Sequence, residues 1–153
     1  MPSVLSIDLG LHMGYAIVTD GILTRSGMHT LGKRVDGHAL VRMHDFILCL
    51  LADYSPQLIA YEQVFQHHKS KQTAKVFGMY ECIILLLGEQ LLIRCIGYKV
   101  HDIKRYWTDK ATADKSDMVK ECYNRFKFYP DENEADAIAV GFLAFACELE
   151  RAR

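Results

Sequence analysis

No two cysteines in this chain form a CxxC pair, and no apolar run approaches the ~18 residues that cross a bilayer. The five cysteines, Cys49, Cys82, Cys95, Cys122 and Cys147, are odd in number and widely spaced. That argues against a disulfide framework or a zinc cluster. Their apolar or helical surroundings predict small buried thiols in a reducing compartment. The opening MPSVLSIDLG has no basic stretch followed by an apolar core, so no signal peptide is expected. An excess of one charge is also missing, since the net charge at pH 7 is -1. The overall balance therefore says nothing for or against a nucleic-acid partner. There is no internal repeat, low-complexity tract or linker. No GxSxG, Walker A or GxGxxG motif points to serine-hydrolase, P-loop or dinucleotide chemistry. These absences leave a soluble, cytoplasmic chain without a membrane segment, and 153 residues suit a single domain spanning 1–153.

The period of the apolar pattern changes along the chain. Residues 3–9, 14–19 and 22–31 read as strands, with Asp20-Gly21 as a hairpin turn. Leu40, Met43, Ile47, Leu50 and Tyr54 recur at helical spacing over 36–54. Residues 57–61 form a fourth strand ending at Glu62. A long apolar helix follows over 70–90, then a fifth strand over 91–99, broken or bent near Gly97. Helices near 101–107, 115–126 and 132–149 complete an α/β domain with one mixed sheet flanked by helices.

Three carboxylates lie where burial disfavours them. Asp8 shares a strand face with Ser6, opposite Leu5, Ile7 and Leu9. Glu62 closes the run Leu58-Ile59-Ala60-Tyr61, and Asp136 sits between alanines in a helix that continues apolar. Singly, each has a plainer explanation as a turn or helix-end residue. Together, with no Lys or Arg in their immediate segments, they need a cation or hydrogen bonds. Hard oxygen donors of this kind suit Mg²⁺ or Mn²⁺.

With their surroundings, these residues resemble the RuvC family of Holliday-junction resolvases, which have a ribonuclease H-like fold. Ser6-Ile7-Asp8-Leu9-Gly10 followed by Gly14-Tyr15-Ala16 is similar to the family's first catalytic strand and turn. Glu62-Gln63-Val64-Phe65 is similar to its second acid and the aromatic beyond it. Asn133-Glu134-Ala135-Asp136-Ala137 resembles the helix carrying the final acid. Lys104 and Lys115 match the spacing of the family's two lysines, and the resemblance runs from about Ser3 to Ala144. Two positions depart from the pattern. Leu9 stands where many members have proline, and Asn133 where members often have Asp or His. The fourth ligand is thus either Asn133 or Glu134, and i, i+3 spacing to Asp136 favours Asn133. The departures read as those of a divergent member, phage or viral rather than a bacterial housekeeping copy.

The resemblance implies two Mg²⁺ ions per site, with Mn²⁺ substituting, held by Asp8, Glu62, Asp136 and Asn133. It implies structure-selective cleavage of four-way or other branched DNA by phosphodiester hydrolysis, in the cytoplasm of a bacterial or phage-infected cell. Lys115 would stabilise charge on the phosphorus or assist the nucleophile, and Lys104 would hold the backbone. Phe65 would stack on an unpaired base, its alternative being a core residue capping the strand. Lys69 and Lys71 would add phosphate contacts. Paired cuts imply a homodimer. The 70–90 helix, apolar around much of its circumference, fits either a dimer interface or a central core position. Two other functions stay open: a ribonuclease H-like nuclease acting on RNA, flaps or other branched DNA, and a junction-binding protein without catalysis.

Overall fold

The computed structural model describes residues 1–63 and 70–150. Strict alternation along β1 (Ser3–Asp8) divides the core into two layers. Val4 packs with Ala16, Leu58 and Ala60 toward one set of helices. Leu5 and Ile7 pack with Ile17 and Ile59 toward another. The sheet is completed by β2 (His12–Thr19), β3 (Ile22–Thr30), β4 (Leu58–Gln63) and β5 (Arg94–Lys99). The spatial order is β3-β2-β1-β4-β5. β1, β2 and β3 form an antiparallel meander, while β4 and β5 run parallel to β1. The expected five-stranded mixed sheet is therefore observed. Asp20 and Gly21 both adopt positive φ, at 52° and 77°, as the tight β2–β3 hairpin requires.

One layer consists of α1 (Gly37–Tyr54) and α2 (Lys71–Leu91), whose Met43, Ile47, Tyr80 and Ile84 meet the Leu5/Ile7 face. The other consists of α3 (Val100–Thr108), α4 (Lys115–Phe126) and α5 (Glu132–Ala144). Trp107, Met118, Cys122 and Ile138 fill it. α5 lies directly on β1 and β2. Ser6, fully buried, donates its hydroxyl to the Ala137 carbonyl at 2.6 Å, tying strand to helix.

Four expectations are corrected. The fifth strand starts at Arg94 rather than Leu91, because α2 runs on to Leu91 and closes on Leu92 in the left-handed region. Gly97 does not break it. The pairing continues through Tyr61↔Gly97, and a Cβ there would press on the Tyr61 ring at 3.2 Å, so the glycine makes room for an aromatic neighbour. The cysteines are not uniformly buried. Only Cys122 is, while Cys49 and Cys82 lie on the outward faces of α1 and α2 and are exposed. The last helix also changes form, α5 ending at Ala144 and passing into a wider π-helical turn over Phe145–Glu150.

Candidate active site

The parallel register of β1 and β4 pairs Ile7 with Tyr61. The next residue on each strand is an acid, so Asp8 and Glu62 emerge side by side where the two strands end. Both have the parity of Ser6 and Ala60, which face α5. Asp136, one turn into α5, completes the group. A cavity of about 290 Å³ is lined by Asp8, Leu9, Glu62, Phe77, Lys115, Asn133 and Asp136. The three acids are half-buried rather than sealed in the core, and all three line the cavity.

What lets α5 come so close is the absence of a side chain at Gly14. This residue pairs with Asp8 across the β1–β2 ladder. A Cβ on Gly14 would overlap the backbone carbonyl of Asn133. The helix N-terminus therefore rests on the strand, and Asp136 is delivered beside Asp8.

Electrostatics record the crowding. The Asp8 carboxyl is held well above its usual 3.8 by burial first, then by the charges of Asp136 and Glu62, with Lys115 opposing. Asp136 is raised to about 6 by burial and then Glu62, against Lys115 and Lys104. Lys115, at the start of α4, donates to Glu132 at 2.9 Å. That bond is the main reason its ammonium is held above 10.5, and the charges of Asp136 and Asp8 act in the same direction.

The two candidates for a fourth ligand behave differently. Asn133 lines the cavity. Glu134 faces away: one carboxylate oxygen accepts from Ser26 at 2.6 Å, and the other closes a capping box with Asp131. Lys104 does not line the cavity, though its charge reaches Asp136. Lys71 opens α2 and is exposed. Phe65 and Lys69 lie outside the described residues. Phe77 lines the cavity and was missed from the sequence, where it merged into the apolar pattern of α2. Gly14 entered the reading only as part of a motif, because nothing in one sequence shows which glycine carries a helix.

An antiparallel meander followed by two parallel strands, with acids where the interior strands β1 and β4 end beside a packed helix, is an α/β fold of the ribonuclease H-like class. It superimposes with a TM-score of 0.80 on the structure titled T. thermophilus RuvC in complex with Holliday junction substrate, at 19% identity over 93% of this chain and 92% of that one. The chain belongs to the crossover junction endodeoxyribonuclease RuvC family, whose sequence profile matches residues 4–143. A relative of that name from Halorhodospira halophila is 32% identical, over 92% of this chain and 87% of its own length. Another, from Thermosipho melanesiensis, is 28% identical over 88% of this chain and 93% of its own.

Proposed function

We propose that this chain resolves four-way DNA junctions by paired symmetric nicks, using metal-dependent phosphodiester hydrolysis. The observation that carries the reading is the convergence of Asp8, Glu62 and Asp136, from three separate elements, on one cavity that Lys115 also lines. The family's name supports the reaction. The Thermus neighbour, solved with a Holliday junction, supports the substrate.

The donor set fits Mg²⁺ or Mn²⁺: three carboxylates and an amide oxygen, with no thiol or imidazole among the cavity residues. Among the described residues no three acidic, imidazole or thiol groups are drawn together closely enough to hold an ion as they stand. Burial first, and then the neighbouring carboxylates, disfavour the charged forms of Asp8 and Asp136, and a bound cation would offset both effects. Asp8, Glu62, Asp136 and Asn133 would hold two such ions, which supply Lewis-acid stabilisation of charge on the phosphate oxygens and lower the pKa of water. In the hydrolysis, a water oxygen bonds to phosphorus and the bond to the 3′ oxygen breaks. A 5′ phosphate and a 3′ hydroxyl remain.

Lys115 would donate to a non-bridging phosphate oxygen as charge grows there, and Lys104 would hold the backbone alongside. Phe65 would stack on an unpaired base, with Lys69 and Lys71 on adjacent phosphates. A homodimer would supply the two cuts. α2 supports this, because it buries Tyr80, Ile84 and Leu87 in the core yet leaves Leu85 and Leu86 49% and 47% exposed. No described helix is long and apolar enough to cross a membrane, and a branched DNA substrate would place the reaction in the cytoplasm.

The test is cleavage of a four-way junction beside plain duplex, a flap and an RNA–DNA hybrid in Mg²⁺. Selective, symmetric nicking of the junction is expected. Equal cutting of plain duplex would overturn the resolvase reading, and binding without cutting would make the chain a junction-binding protein instead.

A further inference from the structure

A second concavity, about 740 Å³, adjoins the acidic cavity, and Lys115 lines both. Its walls are the first two turns of α4, with Ser116 and Lys120, and the approach to α5, with Tyr129, Asp131 and Glu132. The charges there are not equivalent. Glu132 is paired with Lys115, and Asp131 caps α5 by accepting from the Asn133 N–H at 2.9 Å. Neither Lys120 nor Asp131 has an ion-pair partner among the described residues, and Lys120 supplies the one cation of this groove that is not already paired. Tyr129 is 70% exposed. One face of that ring lies on Tyr123, with centroids 4.3 Å apart and planes 10° from parallel. The other face is open. Lys127 sits over the far partner of the pair, 5.8 Å from the Tyr123 ring.

We propose that this groove is the channel for the DNA strand as it passes beyond the scissile phosphate. Lys120, with the Ser116 hydroxyl, holds the next backbone phosphate, and the open face of Tyr129 stacks on a base or deoxyribose. The inference rests on the resolvase reading of the neighbouring cavity and extends it. Three features single out a nucleic-acid strand as the occupant. The groove is continuous with the catalytic cavity through Lys115. It presents Lys120, a cation with no ion-pair partner among the described residues. It also offers a rigid, pre-stacked aromatic platform, which suits the π-face of any base and so needs no sequence preference. Tyr123 serves as the backing that keeps Tyr129 from turning aside.

The experiment measures binding of a fluorescently labelled four-way junction in EDTA across a salt series, and single-turnover nicking in Mg²⁺. It compares wild type with Lys120→Gln, Tyr129→Ala and Tyr129→Phe. Lys120→Gln should lower the slope of log affinity against log salt by about one, as expected for one lost phosphate contact. Tyr129→Ala should weaken binding about fivefold or more, while Tyr129→Phe, which keeps the ring, should match wild type. Thermal unfolding controls for damage, and Lys120→Gln keeps the test informative if the Ala variant is unstable. If wild type binds and nicks junctions while all three variants behave like it, the channel is wrong and the resolvase reading stands. If wild type neither binds nor nicks junctions, both fall.

Discussion

Gly14 stands directly across the β1–β2 ladder from Asp8, and the space where its side chain would be is taken by the backbone carbonyl of Asn133. The distance between the first and last acids is thus set by an absent methyl group. Gly14→Ala must push the start of α5 off the sheet, and overpacking of this kind costs roughly 1–3 kcal/mol. Asp136 and Asn133 move with the helix. The variant should fold with a lowered urea midpoint and lose at least about tenfold in single-turnover nicking, since small misplacements of catalytic groups have large effects on rate. A destabilised variant with the wild-type rate would show that α5 docking does not position the acids.

Ser6 anchors the same helix from below through its 2.6 Å bond to the Ala137 carbonyl. Ser6→Ala should cost about 1 kcal/mol in denaturant unfolding, the usual net worth of a buried neutral hydrogen bond. Nicking should fall far less than for Gly14→Ala, because no atom is forced into the site. A larger effect on rate than on stability would contradict this division of roles.

If Lys115 acts on a phosphate as proposed, Glu132 would compete with that phosphate for it. The pair is at 2.9 Å with side chains 63% and 54% exposed, so it adds little to stability. Glu132→Gln should shift unfolding by less than ~1 kcal/mol. It should also tighten junction binding a few-fold, by removing a carboxylate from the phosphate's path and releasing the ammonium. Weaker binding in an anisotropy titration would mean that Glu132 holds Lys115 in its working position.

Much of this site could be read from residue types and spacing, and its failures have physical causes. The acids stood out because carboxylates inside apolar segments conflict with burial, and the Asp20-Gly21 hairpin because few residue pairs accept its dihedrals. Asn133 and Glu134 also have different surroundings in the fold. Asp131 and Glu134 have the spacing of a capping box, which commits the Glu134 carboxylate to the helix end and leaves Asn133 facing the cavity. Other features were not legible. Whether Gly14 turns the chain or carries a helix depends on a partner 119 positions later in the chain, Asn133. Whether Cys82 and Leu85 are core or surface depends on which arc of α2 meets the sheet, and a helix apolar on several sides does not declare that arc. The start of β5 was misjudged because Leu91, Leu92 and Ile93 suit a strand as well as a helix end.

The elevated carboxyls predict how stability depends on pH and metal. Asp136 titrates near 6 in the folded chain against 3.8 ordinarily, so its stabilising contribution is fully present below about pH 4 and is lost as pH rises through 6. In EDTA, Asp136→Asn should therefore be more stable than wild type at pH 7, by on the order of 2 kcal/mol, with the gain fading between pH 6 and pH 4. Mg²⁺ should raise the wild-type Tm at pH 7 and leave that of Asp136→Asn nearly unchanged. A variant less stable than wild type in EDTA at pH 7 would show that burial and the Glu62 charge do not disfavour the Asp136 carboxylate.

The central claim is that Asp8, Glu62 and Asp136 form one metal-dependent site that nicks junction DNA. The most direct measurement is denaturing-gel mapping of cuts in a labelled four-way junction in Mg²⁺, with wild type and Asp8→Asn side by side. Symmetric nicks in two opposed strands are predicted for wild type. Asp8→Asn should lose nicking by at least about a thousandfold while still retarding the junction on a native gel. Undiminished nicking by Asp8→Asn, or no nicking by wild type in either Mg²⁺ or Mn²⁺, would contradict the account.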